Sequence, residues 1–388
     1  MATFPYEDEI DPAATGMNRV ALEKAVSFFE RQQLSGACPG GQLILRRHGT
    51  LVLNRVFGIA RGLRSNEPVP PFKVQPQTPF PVLSAGKPLA AIAIAMLEDR
   101  GLLDVAAPVS RVLPEFETRG KEEISTLDVL THRAGILLPD LAKNPHLWGD
   151  RHAVLSSLKE SEPSYRRGIF AYMPWEYGWI LSEIMLKVDG RTLPDFVREE
   201  ISAPLGLPAL QYGLAGRDLN SLAFSYWLGK PKAMVAGVNV AESFEKTNNS
   251  AEMFNSRNPA VSLVTDAASL AAFYEFLVDR GVARSGKQLI SKGAIQKYTT
   301  RGIRGWDRSN RTFLTVGRGF VLGTRLPSIY GWWNTQRCFG HAGGYCSVAF
   351  GDYETGITVA IVTNGNRGPY DFARRLIGLA HRLRRACR

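Results

Sequence analysis

Three stretches of this chain carry the pattern Ser-x-x-Lys: Ser84 with Lys87, Ser156 with Lys159, and Ser243 with Lys246. On a helix, residues three apart share one face, so hydroxyl and amine would be neighbours. Burial disfavours the charged form of a lysine, and a neutral amine beside a hydroxyl can take its proton. The serine would then be a nucleophile able to form a covalent acyl intermediate. Context separates the three. Ser84 opens the run Pro88 to Arg100, whose Leu89, Ala91, Ile92, Ile94, Ala95, Met96 and Leu97 are apolar almost all round, the mark of a buried helix. The positive end of that helix would favour an anion forming nearby. Ser156 lies beside Lys159-Glu160 and Ser243 beside Glu245, so both read as surface segments. By itself, even the Ser84 pattern reads equally as a helix cap followed by a surface lysine.

Two further stretches could carry chemistry. Phe170-Ala171-Tyr172-Met173-Pro174-Trp175-Glu176-Tyr177 leads into a helix from Trp179. Phe339-Gly340-His341-Ala342-Gly343-Gly344-Tyr345 precedes an apolar strand. Paired glycines there allow close backbone approach and can present an N–H to an oxyanion. Taken singly, Tyr172 is more often a packed aromatic and His341 a structural histidine. The four cysteines Cys38, Cys338, Cys346 and Cys387 form no CxxC pair. They read as free thiols, with Cys38 and Cys346 packed. The six histidines form no HExxH, so we expect neither a metal site nor a cofactor. No Gly-x-Ser-x-Gly elbow is present, which disfavours an α/β-hydrolase.

The elements that must position these residues follow from periodicity. Asn18 to Gln32 is amphipathic and predicts a helix. Gln42–Leu45 and Leu51–Phe57, joined by Arg46-Arg47-His48-Gly49, predict a β-hairpin. Helices are expected over 125–131, 179–188, 193–201 and 266–279, and a turn and strand over 306–320. A second hairpin is expected from Cys346–Phe350 and Gly356–Thr363, and a closing helix over 372–383. Strands thus lie at both ends of the chain and helices fill the middle. The predicted fold class is α+β, an antiparallel sheet flanked by terminal helices with a mostly helical inserted region. Its division is residues 1–103 with 301–388 as the sheet domain, and 104–300 as the helical one.

Composition bounds the rest. At 388 residues the chain is long enough for two domains or one with a large insertion. With 45% hydrophobic and 21% charged residues it reads as a soluble globular protein. Met1 to Pro12 is acidic and polar, unlike a signal peptide, and the longest apolar run, Pro88 to Leu97, is too short for a bilayer. The expectation is a cytoplasmic protein with no membrane span. The net charge is +11, with a cluster at Arg374, Arg375, Arg382, Arg384, Arg385 and Arg388. The plain reading of that cluster is a solvated helix face; the sharper one is attraction to an acidic partner such as an acyl-carrier protein. No signature supports nucleic-acid binding.

In combination, Ser-x-x-Lys, a tyrosine some way on and His-x-Gly near the end resemble the serine β-lactamase and penicillin-binding superfamily. The closer likeness is to its class C branch and the family VIII carboxylesterases and acyltransferases. Asp128-Val129-Leu130-Thr131-His132-Arg133-Ala134-Gly135 is similar to that family's "DLLTHxSG" segment. Thr265 to Leu270 and the stretch Gly340 to Asn364 add support. The resemblance implies Ser84 as acylated nucleophile, Lys87 as base, and Tyr172 sharing proton traffic with Lys87 and protonating the leaving group. It implies an oxyanion hole from the N–H groups of Ser84 and Gly344. His341 would stand where the family has its third-motif lysine, lining the substrate site with Gly343 and Trp175. Tyr177 competes for the tyrosine role but fits the following helix better. One departure stands out: the family's Tyr-x-Asn is here Tyr172-Met173-Pro174, with no side-chain amide, which weighs against β-lactam hydrolysis. The expected activity is ester cleavage on a small-molecule acyl substrate. The alternatives are acyl transfer to an alcohol or amine, β-lactamase or peptidase activity, and a non-catalytic binding module. Trp175, Trp306, Trp332 and Trp333 are expected to include part of an acyl pocket.

Overall fold

The computed structural model describes residues 9–230, 234–235, 238–300 and 302–387. Nine antiparallel strands form the main sheet. In spatial order they are Ile303–Asp307, Thr312–Val316, Val321–Leu322, Cys338–Gly343, Ser347–Asp352, Ile357–Thr363, Gly40–Arg47, Thr50–Arg61 and Phe72–Lys73. The two ends of the chain meet at its centre. Gly40–Arg47 pairs with Ile357–Thr363 in the register Gly41 to Thr363 through Arg47 to Ile357. Both predicted hairpins are present, and the turn and strand expected over 306–320 belong to a third hairpin, Ile303–Asp307 with Thr312–Val316.

The central strands are apolar on both faces because both are covered. Successive side chains of a strand point to opposite faces. Leu43, Leu45, Val359 and Ile361 pack with Leu22, Val26, Phe29, Leu379 and Leu383 of the terminal helices. The intervening Ile44, Ala360 and Val362 pack on the other side with Leu89, Ile92, Leu270 and Phe273. Helix Arg19–Leu34 starts at Asn18, whose side chain accepts the Ala21 N–H, and buries Leu22, Ala25, Val26 and Phe29 along one stripe. Helix Lys87–Asp99 is buried from Lys87 through Leu97, as its all-round apolar sequence requires. Of the helices between 104 and 300, Ala267–Val278 packs directly on the central strands, while Glu176–Asp189, Leu193–Val197 and Lys292–Thr299 pack on helix Lys87–Asp99; Phe80–Pro81, Leu263–Thr265 and Gln211–Tyr212 form a small three-stranded sheet. This is an α+β fold of mixed helices on an antiparallel sheet. Among the described residues no helix is long and apolar enough to cross a membrane.

The C-terminal arginine cluster is not simply a solvated face. Arg375 is buried, paired with Asp371 and donating to Gln32 Oε1 and the Gly365 carbonyl. Arg384 is buried against Asp352, 3.0 Å away, and also donates to the Asn334 carbonyl. Only Arg374, Arg382 and Arg385 are exposed, and Arg388 lies outside the described residues. Charge counting along a helix does not reveal that Arg384 has the buried Asp352 waiting on a distant strand.

Candidate active site

Ser84 occupies a tight helical turn, Leu83–Gly86, that feeds directly into the buried helix beginning at Lys87. Several contacts hold this turn. The Val82 N–H donates to the Leu263 carbonyl at 3.0 Å, and the Val82 carbonyl accepts from the Ala85 N–H and the Ser347 hydroxyl. Tyr212 donates its phenol proton to the Gly86 carbonyl at 2.7 Å. The end of strand Cys338–Gly343 lies against the same turn. A Cβ on Gly343 would fall 1.9 Å from the Val82 carbonyl oxygen, so only glycine fits. Gly344, at φ +50, would place a Cβ 2.3 Å from the Leu83 side chain. Its carbonyl accepts from Asn366 Nδ2 at 2.8 Å. The Ser84 N–H belongs to the first turn, where a helix N–H lacks an intrahelical acceptor. Ser156 and Ser243 lie on helices elsewhere, with their lysines exposed.

Lys87 is fully buried, and its ammonium nitrogen has three partners. These are Ser84 Oγ at 3.1 Å, the Pro174 carbonyl at 2.9 Å and the Ala260 carbonyl at 3.1 Å. Burial lowers its pKa from 10.5 to about 7, against an opposing pull from the Glu176 carboxylate. The missing amide of the second motif therefore leaves no gap at the lysine: the backbone carbonyl of Pro174 takes the contact.

Tyr172 reaches the same centre from the loop before helix Glu176–Asp189. Lys87 Nζ lies 4.9 Å from its ring centroid, and the Ser84 side chain partly offsets the rise that burial imposes on its phenol. Burial raises its pKa, so the phenol stays protonated at neutral pH. The backbone of Tyr172 donates to Asp307 Oδ1 at 2.9 Å, and the Met173 N–H donates to His132 Nδ1 at 3.2 Å. The His132 ring lies tilted against that of Tyr172, with centroids 4.5 Å apart. Burial, then the charges of Lys87 and His341, hold His132 well below its usual range, so it is a neutral ring with its proton on Nε2. Tyr177 instead donates to the backbone carbonyl of Lys87 at 3.3 Å, away from the serine hydroxyl.

His341 lies on this side of the sheet, its ring 6.2 Å from that of Tyr172. Its Nδ1 donates to the Ala342 carbonyl at 2.6 Å, leaving Nε2 as an acceptor. Burial and the nearby Lys87 charge lower it to about 3, so it is uncharged at neutral pH. Trp175 packs on Trp148, with ring centroids 5.8 Å apart, and its carbonyl takes a hydrogen bond from Asn258. Trp306 is exposed on its hairpin, 5.1 Å from Phe313. Trp332 and Trp333 line a cleft beside the terminal helices with Val20, Lys24 and His381, so the structure gives them no place in a pocket at Ser84.

Four residues at this centre escaped the sequence reading as site residues: His132, Glu176, Asn258 and Asp307. His132 was visible within the matched segment but not as a contact of Tyr172. Asp307 and Asn258 are bound through backbone groups, which leave no residue-type signal. Among the described residues no group of histidine, cysteine and acidic side chains is arranged to hold a metal.

A family model described as Beta-lactamase matches residues 24–382. The esterase/beta-lactamase LipL of Mycobacterium tuberculosis is 27% identical over 327 residues, which is 79% of this chain and 74% of that protein. A penicillin-binding protein homolog from Caulobacter crescentus superposes with a TM-score of 0.79 at 26% identity, covering 94% of this chain and 97% of that one. EstA from Arthrobacter nitroguajacolicus Rue61a superposes with a TM-score of 0.78 at 20% identity, covering 99% of both chains. With the family model matched across nearly its whole length, this chain belongs to the Beta-lactamase family, among serine hydrolases with esterase and penicillin-binding relatives.

Proposed function

We propose that this protein is a carboxylesterase that works through an acyl-enzyme on Ser84. The observation that carries the reading is the environment of Lys87 Nζ. An ammonium has three N–H donors, and here it meets three partners. Once neutral, the amine has two N–H groups and one lone pair. The carbonyls of Pro174 and Ala260 can only accept, so they take the two donors. The lone pair is left facing Ser84 Oγ, 3.1 Å away. A base near pKa 7 is also well matched to working at neutral pH.

The steps follow from that arrangement. The Ser84 proton passes to Lys87 Nζ as Oγ bonds to the ester carbonyl carbon. The developing oxyanion lies between the N–H groups of Ser84 and Gly344. The C–O bond to the alcohol then breaks. Tyr172, protonated at neutral pH, gives its phenol proton to the departing oxygen and is refilled from the Lys87 ammonium. Water attacks the acyl-enzyme with the proton path reversed, releasing the carboxylic acid and free Ser84.

Two features favour neutral esters over β-lactams or peptides. His341, in the place of the family's third-motif lysine, is uncharged at neutral pH and offers no cation to a substrate carboxylate. Pro174 offers no side-chain amide to a substrate carbonyl. The LipL relative is named for both esterase and β-lactamase activity, and the site chemistry here supports the first. The test is turnover of 4-nitrophenyl butyrate across pH, with and without an added alcohol. kcat/KM should rise about tenfold per pH unit up to about pH 7 and then level, with release of nitrophenol independent of the alcohol. A flat profile below neutrality would remove Lys87 as the base. Release only when alcohol is present would make the protein a transferase.

A further inference from the structure

The two carbonyls that aim Lys87 belong to separate stretches of chain, the loop 172–176 and the loop 258–262. One side chain bridges them. Asn258 is buried, and its Oδ1 accepts the Ala260 N–H at 2.9 Å while its Nδ2 donates to the Trp175 carbonyl at 3.1 Å. Its own carbonyl accepts the Ser262 hydroxyl at 2.8 Å, closing the second loop on itself. Room for the amide comes from Gly178 in helix Glu176–Asp189: a Cβ there would lie 1.8 Å from Asn258 Oδ1.

We propose that Asn258 is a positioning residue for the reaction, fixing the Pro174 and Ala260 carbonyls at the separation that points the Lys87 lone pair at Ser84. The inference rests on the acyl-enzyme reading given above. It assigns to a side chain from a different loop the role of supporting the lysine, a role for which Pro174 has no side-chain amide. One amide bridges both loops, so their carbonyls keep their spacing only while both of its hydrogen bonds stand. When the bridge is lost, the Trp175 end of the 172–176 loop, still tied at Tyr172 and Met173 to Asp307 and His132, can shift from the lysine and let water reach the amine. Since desolvation is the main cause of the lowered Lys87 pKa, the amine then drifts back toward its ordinary range. The titratable groups facing Lys87 are Glu176, Tyr172, Tyr177, His132 and His341; a change at 258 replaces none of them, and Tyr172 and Glu176 keep their own bonds to Asp307 and the Leu138 N–H.

Asn258→Ser separates the two bonds. A serine hydroxyl can still serve the Ala260 N–H as a short turn cap but cannot reach the Trp175 carbonyl. Asn258→Ala removes both. Each variant is first titrated with a fluorophosphonate, which counts functional Ser84. Hydrolysis of 4-nitrophenyl butyrate is then followed against pH, and kcat/KM is expressed per titrated site. For both variants we expect the acid limb to move up by about half a pH unit or more, with the plateau kcat lowered about tenfold and KM changed less than about threefold. A merely structural asparagine would reduce the number of titratable sites and leave the limb and the per-site plateau as in the wild type, and that result overturns the proposal. If the wild-type protein itself takes no label at Ser84, the acyl-enzyme reading fails and this inference falls with it.

Discussion

Replacing Lys87 by methionine should abolish turnover and change how stability depends on pH. The lysine is a buried cation retained for its chemistry. Its fall from 10.5 to about 7 corresponds to roughly 5 kcal/mol of discrimination against the charged form. Between these two values the unfolded chain holds the Lys87 proton and the folded chain does not. The unfolded state therefore binds more protons, and wild-type stability rises with pH through that window by about 1.4 kcal/mol per unit. Below about pH 7 the amine is charged in both states and the folded protein bears the whole penalty. Methionine has nearly the same length and no charge, but it strands the Pro174 and Ala260 carbonyls, each at a cost of about 1–3 kcal/mol. The offset between the two proteins at one pH mixes these effects; its change with pH above neutrality reports Lys87, since burial holds His132 and His341, which the Lys87 charge also lowers, below that range. From about pH 6 to about pH 9, the stability of the wild type relative to Lys87→Met should improve by roughly 3 kcal/mol. Urea unfolding followed by tryptophan fluorescence, at several pH values in one buffer series, measures this. A difference that stays constant over that range would mean the amine keeps an ordinary pKa, and the argument that makes it a base at neutral pH would fall.

Other outcomes follow from the same geometry. Tyr172→Phe should lower kcat/KM about 100-fold or more, because the proton carrier between Lys87 and the leaving group is lost, whereas Tyr177→Phe, which gives up only a bond to a backbone carbonyl, should stay within a few-fold. Steady-state ester hydrolysis of the two variants decides it, and equal losses would reverse the assignment. Pro174→Asn restores a side-chain amide while leaving the Lys87 contact to the backbone carbonyl, and should raise acylation by a chromogenic cephalosporin about tenfold over wild type; an unchanged rate would place the barrier to β-lactams elsewhere. Arg384→Leu leaves Asp352 buried without its partner and should cost about 3–5 kcal/mol in urea unfolding, with per-site ester kinetics unchanged.

The parts of the site legible in the sequence are those whose chemistry needs a particular side chain. Ser84 and Lys87 could be separated from two decoys because only they open an apolar helix, and the structure buries Lys87 completely. Tyr172 and His341 became legible through their place in a family pattern rather than through their surroundings. What could not be read was the part carried by backbone. The carbonyls of Pro174 and Ala260 are present in any sequence; that they converge on one amine depends on how two distant loops pack. The same limit explains Pro174. As a residue type it reads as the loss of an amide, while as a backbone acceptor it holds the lysine. The sheet was legible because alternating and fully apolar strands at both chain ends needed each other. The arginines of the last helix misled for the opposite reason, since Asp352, on a distant strand, supplies Arg384 with a buried partner that spacing alone does not show. The tryptophans misled as well: Trp332 and Trp333 are near the third motif in sequence, yet they line a cleft with Val20, Lys24 and His381 beside the terminal helices.

The central claim is that Ser84 is the residue that becomes acylated. Intact mass after incubation with a fluorophosphonate, on the wild type and on Ser84→Ala, tests it most directly. The account predicts a single adduct on the wild type and none on the variant. An adduct that persists in Ser84→Ala, or a wild-type protein that takes none, would contradict it.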